Sequence, residues 1–337
     1  MRNTRSYKNK CENLWKKCIF LHKFPRYFQI QMYLELLAKV FPRRVKLCHI
    51  GRTIRGRKID MIIIAKNLKN KKYAVLIDGG IHAREWITVT SALYFINHLI
   101  KSPKLLTFMD FYIIPCLNPD GYEYTHVSNR MWRKNLNTNK STCVKKFGVD
   151  LNRNFPFKFG DPKGSSGKRE SMCYRGEFAL SEPETLALAT IFKNLKDKLK
   201  LYVSLHAYGN LIMYPWGYKN TSPWDRYDLF RCGQLCKQAM SRCGVDRKFK
   251  VGNIAKFMYL TSGCSVDYAR GGHDVKFSFT IELDKGGSTG FNPQPSKILE
   301  IGSELTNGIG AMVRYVHKYY AIRDGRRAHC NREHFVM

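Results

Sequence analysis

The chain has 337 residues, 44% of them hydrophobic, and a formal net charge of +32. That length carries one large globular domain or two small ones, and no apolar run reaches the roughly 18 residues of a membrane-spanning helix. Lysine and arginine scatter along the whole chain with no nucleic-acid motif among them, which argues against sequence-specific nucleic-acid binding. The charge reads first as a diffuse basic surface and more sharply as attraction to a polyanion such as a sulfated polysaccharide.

In chain order, residues 1–24 are basic and offer only "CIFL" as an apolar core, too short for a signal peptide. A gene product truncated at its start explains them best, and an organelle-targeting peptide less well. Apolar strands are predicted at 60–65 ("DMIIIA") and 73–78 ("YAVLID"). The second ends at "GGIHAREW", where His82, Arg84 and Glu85 precede a helix predicted over 86–100. A strand follows at 111–116, then a Gly- and Ser-rich surface loop at 160–168.

A helix is predicted over 181–200. Ser181 would be its N-cap, with Glu184 three residues on as a capping box, and Leu188, Ile191, Phe192, Leu195 and Leu199 at helical spacing. Strands at 202–206 and 277–283 complete the set, and the basic tail 323–337 is expected to be disordered. Continuous apolar strands are buried on both faces, so the fold class is α/β, one domain with a largely parallel sheet and helices on both sides. Eleven cysteines, an odd number without a CxxC pair, point to oxidising surroundings. Cys232, Cys236 and Cys243 lie in a helical pattern without histidine at zinc-finger spacing.

His82 and Glu85 form an H-x-x-E pair between strand and helix, a weak signal alone. A catalytic zinc site needs a third ligand and an open position for water. His206 ends a predicted strand, and open α/β sheets bind ligands at such carboxyl ends. His98, His126 and His273 lack that setting and read as surface residues. Glu282 ends the strand "FSFTI", where a carboxylate is either functional or paired with Lys285.

The blocks "HIGRTIRGRKI", "GGIHAREWIT", "NPDGYEYTH", "NRMWRKN", "GVDLNRNF", "SLHAYGNLIMYPWGY" and "FTIELDKGG" occur in order. With them the chain resembles the zinc carboxypeptidases from about residue 28 to 320, in the pancreatic-type A/B branch and most like the A type. Two histidines and one glutamate are the known zinc set of carboxypeptidase A, and this part of the reading comes from the resemblance. It implies a catalytic domain over 25–322 holding one Zn2+ through His82, Glu85 and His206, with Glu282 as general base. Arg133 would polarise the scissile carbonyl, Asn152 and Arg153 would clamp the terminal carboxylate, Tyr259 would close over substrate, and Arg84 would line outer subsites. Arg130 is a secondary anion contact in this reading, and Tyr208 lines the cleft or packs as a core aromatic.

The same alignment pairs Cys143 with Cys173 in a disulfide. It puts Val266 at the base of the pocket for the terminal side chain, with Ile254, Met258, Thr261 and Met213 as wall. That set favours apolar C-terminal residues on peptide and protein substrates. A slip of one residue would bring Asp267 there and reverse the preference to Lys or Arg. Relatives in this branch are secreted zymogens, so an extracellular monomer is expected. The two dozen residues ahead of the resemblance are too few for a folded pro-domain. A polyanion-tethered granule or matrix protein is the alternative function.

Overall fold

The computed structural model describes residues 22–70, 72–138, 141–161, 163–242 and 247–333, with side chains to 325. The expectations for residues 1–21 and 334–337 lie outside these. An eight-stranded sheet forms the centre: β1 (Val45–Arg52), β2 (Lys58–Ile64), β3 (Ala74–Asp78), β4 (Asp110–Ile114), β5 (Leu199–Ala207), β6 (Leu211–Tyr214), β7 (Lys250–Asn253) and β8 (Phe277–Leu283). Its order is β1-β2-β4-β3-β5-β8-β6-β7. The central strands β4, β3, β5 and β8 run parallel, while β1, β2 and β6 join antiparallel.

Every residue of β3 and β8 is buried, because helices cover both faces. One face carries α1 (Tyr27–Val40), α2 (Trp86–Lys101), α5 (Arg226–Ser241) and α8 (Ile298–Glu333), which pack Leu34, Ile96, Cys232 and Ile309 into a single core. The other carries α4 (Pro183–Leu195), the short α6 (Ile254–Phe257) and α7 (Ser265–His273), whose Leu188, Ile254 and Ala269 close a second core. Helix α3 (Pro119–Val127) starts where the Asn118 side chain accepts the Gly121 amide at 2.9 Å, with Pro119 at its first position.

The expected one-domain α/β architecture is what forms, with three corrections and two short strands that the sequence did not announce. Helix α4 begins at Pro183 with Glu182 as N-cap, so Ser181 caps nothing; its hydroxyl donates to Glu182 Oε1 instead. Leu199 belongs to β5 and not to the helix, since the chain breaks at Lys196 with φ +38. The tail was expected to be disordered, yet the helix α8 continues unbroken to Glu333. Strands β6 and β7 are four residues each, too short for their alternation to stand out.

Candidate metal centre and substrate cleft

The site lies at the carboxyl ends of β3, β5 and β8. Past β3 the chain turns at Gly80, whose φ of +63 and a virtual Cβ only 2.8 Å from Val89 Cγ2 demand glycine. This turn delivers His82, and Glu85 follows as the N-cap of α2. The Ala83 amide donates to the Arg133 carbonyl at 3.0 Å, tying the turn to the segment that carries Arg133. His206 sits on β5 directly opposite Glu282 on β8.

The ligand atoms of His82, Glu85 and His206 all lie within 4.8 Å of one another, and all three residues are buried. His82 Nδ1 is 2.9 Å from Glu85 Oε1, and His206 Nδ1 is 3.1 Å from His82 Nδ1 and 3.3 Å from Glu85 Oε2. Burial alone would raise the Glu85 carboxyl, but the two imidazoles outweigh it and hold it well below the usual carboxylate range. Burial and the Arg133 charge push His82 down, whereas for His206 the Glu85 carboxylate outweighs burial and pushes it up. Two imidazole nitrogens and a carboxylate oxygen converging at the buried floor of a cleft fit a catalytic zinc site of three protein ligands.

Asp150, fully buried, stands behind this cluster. His82 Nε2 donates to its Oδ1 at 3.1 Å, and Arg133 donates to Oδ2 from Nη2 at 2.9 Å and from Nε at 3.2 Å. Burial opposes the charge of Asp150, yet Arg133, Arg153 and His82 hold it well below its ordinary value. The sequence reading passed over Asp150 in "GVDLNRNF", although an acid between apolar Val149 and Leu151 was a signal of burial.

Glu282 makes no ion pair with Lys285 among the described residues. Burial, with Glu85 adding and His206 opposing, raises its carboxyl to about 7. A cleft of about 370 Å³ opens above these groups and is lined by His82, Arg84, Glu85, Arg133, Asn152, Arg153, His206, Tyr259 and Glu282. Met213, Ile254, Met258, Thr261, Cys264 and Thr280 form its apolar side. Arg153 is buried, its Nε donating to the Gly164 carbonyl at 2.8 Å, and half-exposed Tyr259 places its ring 5.9 Å from that guanidinium. Arg84 stacks over Phe291 at 4.2 Å.

Val266 is 1% exposed, packed in the core with Met213 and Ile254. Asp267 is turned elsewhere: both its oxygens accept the Gly217 amide at 2.9 Å, and Oδ2 also accepts that of Tyr218. Arg130 does not face the cleft as an anion contact, because it donates to the carbonyls of Arg84 and Phe291 and stacks over Trp86 at 3.8 Å. His126 stacks on Trp86 with ring centroids 4.0 Å apart, and burial lowers it to about 4, so it is half-buried packing and not a free surface residue. Tyr208 lines the cleft beside Phe291.

The expected Cys143 to Cys173 bridge is not formed. Both thiols are free, as are Cys48, Cys116, Cys232, Cys236 and Cys264. Hydrogen bonds fasten this loop instead: Ser166 N to the Cys173 carbonyl at 2.9 Å and Lys134 Nζ to the Arg169 carbonyl at 2.8 Å.

The family profile described as "Zinc carboxypeptidase" matches residues 30–308. The chain belongs to the zinc carboxypeptidase family. It is therefore a metallocarboxypeptidase, a zinc-dependent hydrolase acting at peptide C-termini. It is 36% identical over 288 residues to carboxypeptidase A1 of Mus musculus, covering 82% of this chain and 66% of that protein. To carboxypeptidase B of Astacus astacus it is 31% identical, covering 88% and 97%. Among solved structures it is similar to bovine thrombin-activatable fibrinolysis inhibitor in complex with tick carboxypeptidase inhibitor. The TM-score is 0.83 at 32% identity, over 89% of this chain and 99% of that one. Relatives of A and B type are thus both present. No helix among the described residues is long and apolar enough to cross a membrane.

Proposed function

We propose that this carboxypeptidase releases apolar C-terminal residues, using one zinc held by His82, Glu85 and His206. Bound there, zinc supplies a Lewis acid for the water and the scissile carbonyl. Glu282 takes a proton from the attacking water as the new C–O bond forms, and passes it to the amine as the C–N bond breaks. A carboxyl poised near 7 suits both halves of that transfer. Arg133, its far side held by Asp150, turns Nη1 toward Glu85 at 3.8 Å and is available to the developing oxyanion. Asn152 and Arg153 receive the terminal carboxylate, with Tyr259 over it and Arg84 beyond.

The observation that carries the apolar preference is the lining of the cleft. Among the described residues its only acids are Glu85 and Glu282, both used by the chemistry, while Asp267 spends its oxygens on two backbone amides. A lysine or arginine side chain would lose its hydration there without a partner. Phe or Leu gains about 1.5–3 kcal/mol from burial, roughly 10- to 100-fold in kcat/KM. Blocked peptides ending in Phe, Leu, Arg and Lys test this: Phe and Leu should be released fastest, and faster release of Arg or Lys overturns it. Glu282→Gln should lose turnover while the protein still binds zinc; near-normal rates would remove Glu282 as the base.

A polyanion tether is a second reading. A cleft of about 590 Å³ between α5 and α8 is lined by Arg231, Arg242, Arg314 and Lys318, with Tyr315 and Tyr319 and, among the described residues, no acid. Retention on heparin that yields only to high salt supports it, and elution at low salt removes it.

A further inference from the structure

The two histidines of the cluster are held from behind in different ways. His82 meets a carboxylate directly through Nε2. His206 turns Nδ1 into the cluster, so its Nε2 points into the sheet. A neutral imidazole that gives Nδ1 to a metal carries its proton on Nε2, and that proton needs an acceptor. Two groups stand near: Asn152 Nδ2 at 3.5 Å, an amide nitrogen that only donates, and Ser204 Oγ at 3.2 Å. Ser204 is therefore the acceptor.

The serine hydroxyl has one proton of its own, which goes to Asp78 Oδ2 at 3.1 Å. Asp78 Oδ1 accepts the Tyr202 hydroxyl at 2.6 Å. The sheet builds this chain of bonds. Asp78 is the last residue of β3 and pairs in register with Ser204 on β5. His206 lies two residues further along the same strand, hence on the same face. Asp78, Ser204 and Tyr202 are all 0% exposed. Asp78 has no ion-pair partner among the described residues and does not reach the cleft. A buried carboxylate without a cation is costly to keep, and the peptide-bond chemistry does not use it.

We propose that Asp78 is a positioning residue for His206, acting through the Ser204 hydroxyl to fix the ring's orientation and its Nε2 proton. This rests on the reading of His206 as a metal ligand. The test measures zinc affinity of the full chain by competition with a chromophoric chelator, alongside urea unfolding of the metal-free protein. Ser204→Ala and Asp78→Asn should each weaken zinc binding roughly 10- to 100-fold. Because Asp78 acts through Ser204, the double variant should lose no more than about threefold beyond Ser204→Ala. Tyr202→Phe leaves the path to His206 intact and should stay within about threefold of the parent while unfolding more easily.

Affinities of Ser204→Ala and Asp78→Asn within about threefold of the parent overturn the proposal, as do losses that simply multiply in the double variant. If Asp78→Asn does not fold, Ser204→Ala against Tyr202→Phe decides alone. Equal zinc affinity in that pair overturns the proposal. His206→Ala separates the two levels of the argument: if it keeps parental zinc affinity, the ligand reading itself fails. If it loses zinc while the other variants hold it, only the role of Asp78 fails.

Discussion

Replacing Asp150 by Asn tests the electrostatic frame behind the metal cluster. The substitution keeps the shape and removes one charge from a fully buried residue. At 2.9 Å from Arg133 Nη2, that charge is worth about 6 kcal/mol in Coulomb attraction at an effective dielectric of about 20. Arg133 is not left alone, because Glu85 remains 3.8 Å from its Nη1, about 4 kcal/mol on the same scale. Breaking a buried pair costs about 3–5 kcal/mol, and the retained Glu85 puts this one at the low end, near 3 kcal/mol. His82 also exchanges a charged acceptor for an amide, which should weaken zinc binding roughly 10- to 100-fold. Urea unfolding of metal-free protein reads the first effect and chelator competition the second. If Asp150→Asn unfolds within about 1 kcal/mol of the parent and binds zinc equally well, Asp150 does not hold this site together.

Glu184 gives a pH-dependent prediction. It is buried beside Glu182 and accepts Asn135 Nδ2 at 3.2 Å; burial raises its carboxyl from 4.5 to about 8. Stability linked to its neutral form is complete below about pH 4.5 and is lost as pH rises through 8. Glu184→Gln should match the parent at pH 4 and exceed it at pH 9 by up to ~5 kcal/mol in urea unfolding; equal curves at both would refute this. Gly263 has φ +66, and a Cβ there would lie 2.4 Å from the Arg153 carbonyl oxygen. Gly263→Ala should cost roughly 2–3 kcal/mol and raise KM more than it lowers kcat, since Arg153 shifts; an unchanged KM would detach Arg153 from substrate binding.

Much of this was legible in the sequence because it lies in strong local patterns. Strand β8 was read with its observed bounds, since "FSFTIEL" sets apolar residues at every second position, with aromatic and β-branched types of high strand propensity. His82, Glu85, His206 and Glu282 were readable as strand-end residues of costly chemistry. Less legible were features that depend on distant partners. Strand β1, half-exposed with a bulge between His49 and Gly51, shows no clean alternation. The start of α4 was misplaced because Ser181 has the right residue type but spends its hydroxyl on Glu182. Asp150, Asp78 and Ser204 escaped notice for one reason: each gains its meaning from a histidine that folding brings alongside, and no spacing in the chain announces it.

The pairing of His206 with Glu282 across β5 and β8 has a consequence for how this enzyme fails. Neighbouring strands stand about 4.8 Å apart because their backbones are bonded to each other, so this separation belongs to the main chain and not to a loop. Heating or denaturant cannot pull the proton-accepting group away from its histidine neighbour by degrees; that rung of the ladder has to open. Loss of turnover should accordingly track melting of the central strands, with no dimmed but still folded form in between.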